Sequence, residues 1–182
     1  MSRAIFIDRD GTLIVDKDYL HKPEQVEFFP GAIPTLKKAI DAGFLIIMVT
    51  NQSGVGRGYF SLEDVERVHA FIGEQMSAHG ASCVKIYVAP EAPEVPSRGR
   101  KPSPEFLFDA RDKLGVDLAR SYMVGDKLID LQCGWNAGVR KSILVRTGYG
   151  AKVEQQEKSH LKDAVVLDNL PQAIDWILSD GS

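Results

Sequence analysis

Short apolar runs recur along the chain at 4–7, 44–49, 84–88, 122–124, 142–145 and 164–167. Runs of this length without strict alternation read as strands buried on both faces of a parallel sheet. Between them, apolar positions fall at helical spacing. Ile33, Leu36 and Ile40 share a face, and Gly43 stops that helix. Ser61 and Asp64 resemble a capping box ahead of a stripe of Leu62, Val65, Val68, Ile72 and Met76. Ser103-Pro104 opens a helix that Gly115 ends, and a shorter one from Leu128 to Ala137 stops at Gly138. Asn169, Leu170 and Pro171 open a last helix carrying Ile174 and Ile177. Trp135, Phe106 and Leu107 read as core.

Strand and helix alternate, which predicts an α/β fold with a doubly wound parallel sheet. There is no internal repeat and no low-complexity linker, so residues 1–182 are expected to form one domain. The least regular stretches are 15–30, 90–102 and 148–162. The first two leave the ligand-binding edge of the sheet and are too short to fold alone. Loops, and no large cap domain, should cover that edge.

Composition narrows the picture further. With 44% hydrophobic residues, 182 residues can bury a core without staples. A net charge of −3 argues against non-specific binding to nucleic acid or anionic membranes. No apolar run reaches membrane-spanning length, and Asp8 interrupts any signal-like segment, so a cytoplasmic protein is expected. Cys83 and Cys133 have no C-x-x-C spacing and are expected as reduced, buried thiols.

The candidate chemistry lies just past the strands. Asp8-Arg9-Asp10-Gly11-Thr12 follows the first run, placing two carboxylates at the carboxyl end of a central strand, where open α/β sheets bind ligands. One acid can attack phosphorus while the other handles the proton; an acidic strand-to-loop turn is the plainer alternative. Thr50-Asn51-Gln52-Ser53-Gly54 follows the second run and offers a hydroxyl and N–H groups to phosphoryl oxygens. Arg57 is either an anion contact or a solvated arginine. Arg100-Lys101-Pro102 precedes a helix, and its lysine can screen repulsion between an attacking carboxylate and a phosphate dianion. Gly125-Asp126-Lys127 follows the fourth run. Parallel strands are about 4.8 Å apart, so Asp8 and Asp126 can share a hard divalent cation. Asp130 is either an anchor for metal-bound water or Lys127, or an acid favoured in a helix's first turn. His21 is either a substrate contact from the first loop or a solvated loop histidine, Tyr19 either faces the cleft or pins its loop, and His69, His79 and His160 show no metal-ligand spacing.

Together these residues resemble the haloacid dehalogenase (HAD) superfamily and its phosphatase branch, since Asp10 and Thr12 are both present. The resemblance is closer still to the heptose bisphosphate phosphatases and their kin, the histidinol-phosphate phosphatases, and it runs along nearly the whole chain. It implies a HAD-like Rossmannoid fold and a Mg²⁺-dependent phosphatase that hydrolyses a small phosphate ester through an aspartyl-phosphate. It implies Asp8 as nucleophile and Asp10 as acid and base, with Thr50 and Lys101 holding the phosphoryl group. Mg²⁺ would be held by Asp8, the Asp10 backbone carbonyl and Asp126. Substrate contacts would come from Asp16, Tyr19, Asn51, Gln52, Ser53, Arg100 and Lys127, with Arg57 added as a candidate from its own setting between Gly56 and Gly58. The substrate it implies is a heptose 1,7-bisphosphate attacked at one phosphate, with histidinol phosphate or another sugar phosphate as the alternative. A phospho-acceptor module and a non-catalytic binding domain are the readings from other classes.

The chain departs from that family in one loop. Where the family carries Cys and His ligands for zinc, the corresponding residues are Ala89, Glu91, Ser97 and Gly99, so no zinc is expected. Pro90, Pro93 and Pro96 restrict the loop instead. Asp18 stands where the family's first loop usually has glycine.

Overall fold

A computed structural model describes residues 1–180. Six strands form one parallel sheet: β1 (Arg3–Ile7), β2 (Phe44–Asn51), β3 (Lys85–Ala89), β4 (Tyr122–Gly125), β5 (Lys141–Val145) and β6 (Val165–Leu167). Their order is β3-β2-β1-β4-β5-β6, so the chain winds one way from β1 and the other way from β4. The two directions part between β1 and β4. That seam is the topological switch point, where such sheets open a crevice at the strands' carboxyl ends. Ile7 pairs with Met48 on one side and Val124 on the other, which fixes the height of whatever follows each strand.

Among the described residues, seven helices cover the sheet: α1 (Ala32–Asp41), α2 (Ser53–Gly56), α3 (Leu62–Ala78), α4 (Glu105–Leu114), α5 (Leu128–Ala137), α6 (Gly150–Gln156) and α7 (Leu170–Asp180). Side chains alternate across the pleat. Ile5 and Ile7 pack with Leu36, Val68, Ile72 and Ile174 from α1, α3 and α7. Ala4 and Phe6 pack on the other face with Leu107 and Ala110 of α4 and Cys133 of α5. Strands buried on both faces in this way need continuous apolar runs, which is what the sequence supplies.

The predicted strands and the five longer helices all form. Two short helices, α2 and α6, lie where the sequence reads as loop. Leu62 does not join the buried stripe; it is exposed on the first turn of α3, and burial begins at Val65. Leu107 is core, whereas Phe106 and Trp135 are only partly buried. Both thiols are free, Cys133 buried and Cys83 partly so. Among the described residues, no helix is long and apolar enough to cross a membrane.

Candidate active site

Asp8 follows β1 and still donates its backbone N–H to Val124 O on β4 (3.0 Å), so it stands at the switch point. Asp126 follows β4 directly. Their carboxylates meet Asp130 from the first turn of α5 in one buried cluster, with an oxygen of each within 4.8 Å of the others. Asp126 Oδ2 accepts a hydrogen bond from Tyr149 N (2.8 Å), while its Oδ1 is buried without a partner. Gly11 and Gly148 make this crowding feasible: a Cβ on either would lie within 2.2–2.3 Å of Asp126 Oδ2, and both glycines have positive φ.

Lys101 is the cation inside this cluster. Its Nζ donates to Asp8 Oδ1 (2.6 Å) and Val49 O (2.8 Å) and pairs with Asp130 Oδ1 at 2.7 Å. Asp130 Oδ2 also accepts from Lys127 N (2.9 Å), which caps α5 and anchors the backbone of Lys127. One lysine does not offset the acids. Burial first, with the neighbouring carboxylates adding to it, raises the Asp8 carboxyl to about 6 and Asp126 to about 8; Lys101 pulls Asp8 back and Lys127 pulls both. A partnerless buried oxygen beside two carboxylates that resist ionisation is the donor set a hard divalent cation satisfies.

Asp10 points into a different set of contacts. Its oxygens accept from Arg9 Nε (3.0 Å) and Nη2 (3.1 Å) and from Gln52 Nε2 (2.9 Å). Its carboxylate therefore stands outside the acidic cluster, leaving only its backbone for a metal. Gln52 spends its amide within the protein, accepting from Arg9 Nη2 (3.0 Å) and donating to Thr50 Oγ1 (2.7 Å) as well as to Asp10. Asn51 does likewise: Oδ1 accepts from Lys101 N (3.0 Å) and Nδ2 donates to Lys101 O (3.2 Å).

Two adjoining clefts open onto these groups. One of about 220 Å³ reaches Asp8, Lys101, Arg100 and Asp130; one of about 230 Å³ runs past Arg9, Gln52, Asp16 and Tyr19. Asp10, Asn51, Ser53 and Lys127 line both. Lys127 Nζ pairs with Asp16 at 3.4 Å across the first loop. Asp18 lines the second cleft, so the departure from glycine changes the chemistry of its wall. Thr50 is buried and lines neither cleft. Arg57 also lines neither; it pairs with Glu94 at 3.7 Å, which favours the solvated reading. His21 stacks on Phe60 and bonds Tyr19 O through Nδ1 (2.8 Å), so it pins its loop. Tyr19 lines the cleft, half exposed, with Tyr59 edge-on beside it at 4.8 Å.

The proline-bearing loop orders itself through polar contacts. Ser97 Oγ donates to Glu91 Oε2 (2.6 Å) and accepts from Arg100 N (3.2 Å), and Arg100 Nη1 donates to Glu91 O (3.2 Å). Gly56 lets α2 touch the same loop, donating to Pro90 O at 2.8 Å where a Cβ would strike Ala92 N. Sequence reasoning gave no part to Arg9 or to His69, whose Nε2 lies 3.3 Å from Arg9 Nη1. The one signal for His69 is its spacing with Val65, Ile72 and Met76 on the buried stripe of α3.

The HAD-hydrolase-like family matches residues 99–173, the stretch that carries Lys101 and Asp126. The D-glycero-beta-D-manno-heptose-1,7-bisphosphate 7-phosphatase of Escherichia coli (strain K12) is 39% identical over 180 residues, covering 94% of this chain and 93% of its own. The protein of the same name from Haemophilus ducreyi is 37% identical over 176 residues, covering 93% and 97%. Among solved structures, the D,D-heptose 1,7-bisphosphate phosphatase of B. bronchiseptica, complexed with magnesium and phosphate, superposes with a TM-score of 0.91 at 28% identity, covering 98% of this chain and 99% of that one.

Proposed function

Since the chain belongs to the HAD-like phosphatases, in the family of its heptose-1,7-bisphosphate 7-phosphatase relatives, we propose that it removes the 7-phosphate of D-glycero-beta-D-manno-heptose 1,7-bisphosphate, with Asp8 as nucleophile. The observation that carries this reading is the buried Asp8–Asp126–Asp130 cluster with Lys101 among its acids, opening onto a cleft.

Asp8 and Asp126, with the Asp10 carbonyl, would hold Mg²⁺. The ion supplies positive charge to the phosphoryl oxygens. Lys101 holds Asp8 through one oxygen and lowers the repulsion between its carboxylate and an incoming phosphate dianion. In the first step an Asp8 oxygen bonds to phosphorus as the ester P–O bond breaks, and the leaving oxygen takes a proton from Asp10. In the second, water adds to phosphorus, the Asp8–phosphorus bond breaks, and Asp10 takes the water proton. Arg100 and Lys127 offer cationic contacts to the substrate's anionic groups, and Asp16 and Ser53 offer polar contacts to its hydroxyls. Residues 89, 91, 97 and 99 offer no thiolate or imidazole, so the loop's order is assigned to Glu91, Ser97 and Arg100 and not to zinc.

Phosphate release from the heptose bisphosphate and from histidinol phosphate, each with Mg²⁺, tests this. The expected kcat/KM favours the heptose substrate by at least ~100-fold, the scale that buried polar recognition supplies. A preference for histidinol phosphate would overturn the substrate assignment. Near-wild-type turnover by a folded Asp8→Asn variant would overturn the nucleophile.

A further inference from the structure

We propose that His69 is a positioning residue for the second half of the reaction: by accepting a hydrogen bond from Arg9 it fixes the guanidinium that presents Asp10 as the base for water. The proposal rests on the phosphatase reading above.

Arg9 is the largest of the fully buried side chains, 1% exposed between two acids of the site. A buried guanidinium has five N–H donors and no acceptor, and each donor left bare is costly. Nε and one Nη2 hydrogen go to Asp10, and the other Nη2 hydrogen goes to Gln52 Oε1. Nη1 has His69 Nε2 at 3.3 Å. Arginine can only donate, so Nε2 must be the bare acceptor and the imidazole neutral. Burial first, with Arg9 adding to it, holds the His69 pKa down to about 3, so the acceptor persists across the working range of pH.

The fork of an arginine fixes direction as well as charge. With His69 in place, turning the guanidinium breaks a contact on Nη1, so the fork stays on Asp10. Without it, Nη1 must seek another acceptor and Asp10 loses its anchor. Three donors converge on the Asp10 carboxylate, two from Arg9 and one from Gln52. All three hold its direction, which is what a base for water in the second step requires. In that step the water oxygen bonds to phosphorus, the electron pair of the Asp8–phosphorus bond returns to Asp8, and the water proton goes to Asp10. His69 reaches Asp10 only through Arg9, so it positions and does not transfer.

p-Nitrophenyl phosphate isolates this step, because nitrophenolate leaves without a proton. Wild type, His69→Leu and His69→Gln are compared with Mg²⁺ by steady-state and stopped-flow kinetics. The expected result for His69→Leu is a kcat about 10-fold lower, the scale of one hydrogen bond to a charged group. KM should fall in parallel, leaving kcat/KM within about two-fold, because kcat/KM reports only the first step. A first-turnover burst of nitrophenolate should appear. His69→Gln, whose Oε1 can accept from Arg9, should restore kcat. A His69→Leu variant in which kcat and kcat/KM fall together, or in which kcat is unchanged, overturns the proposal, as does a Gln variant no better than Leu. An inert wild-type enzyme would remove the phosphatase reading itself; an active one beside an unaffected His69→Leu removes only the role of His69.

Discussion

Asn51 shows how a polar side chain can line a cleft and yet work on the protein. Both ends of its amide bond the main chain of Lys101, fifty positions away in sequence. The pair sets where the Lys101 stem begins, and so where Nζ meets Asp8 (2.6 Å). Asn51→Ala should therefore lower kcat by ~10–100-fold through misplacement of the ammonium, with KM changed little. It should also lower the urea unfolding free energy by about 1–2 kcal/mol for the lost bonds. A rise in KM at unchanged kcat would mean that Asn51 binds substrate directly. Asn51→Asp keeps the acceptor for Lys101 N and loses the donor, so it should fall between the two.

At the scale of elements, α3 carries His69 to Arg9, and its start is set by a short local signal. Ser61 Oγ accepts from Asp64 N (3.1 Å), and Asp64 Oδ2 accepts from Ser61 N (2.7 Å). Ser61→Ala should cost about 1 kcal/mol, read as a shift in the denaturation midpoint at unchanged kcat; a drop in kcat without loss of stability would tie the cap to the site. That cap was legible because its partners are three residues apart. So were the strands, whose apolar runs are dense, and the acids at 8 and 126, which end strands that neighbour each other at the switch point. Helices α2 and α6 were not legible: at four and seven residues, with glycines at Gly54, Gly56 and Gly150, they carry no apolar period. The direction of Gln52, Asn51 and Thr50 was equally hidden. Loop amides turn toward whichever partner arrives, and here the partners are Arg9, Asp10 and Lys101 from other segments. Arg57 was ambiguous for the same reason, its partner Glu94 belonging to a loop of irregular sequence.

Across the whole molecule, the site is a charge imbalance stored at the seam of the sheet, and folding must bear it. Asp8, raised to about 6, and Asp126, raised to about 8, hold protons in the folded state that the unfolded chain has already lost above about pH 5. The folded state thus binds more protons between about pH 4 and 8, and stability must fall as pH rises through that window and level off above it. A divalent cation reverses the sign of the local field and competes with those protons. It binds the folded state alone, so it adds stability as RT ln(1 + [Mg²⁺]/Kd), and most where the acids are ionised. Chemical denaturation of chelator-treated protein should show the midpoint falling from about pH 5 to about pH 8.5. Millimolar Mg²⁺ should cancel most of that fall while changing the midpoint at the acid end little. An equal gain from Mg²⁺ at both pH values would mean that the ion binds away from Asp8 and Asp126. Asp126→Asn removes one ionisable group and the partnerless Oδ1 charge together; it should flatten the pH dependence of the chelated protein and abolish the Mg²⁺ gain at the alkaline end in a single change.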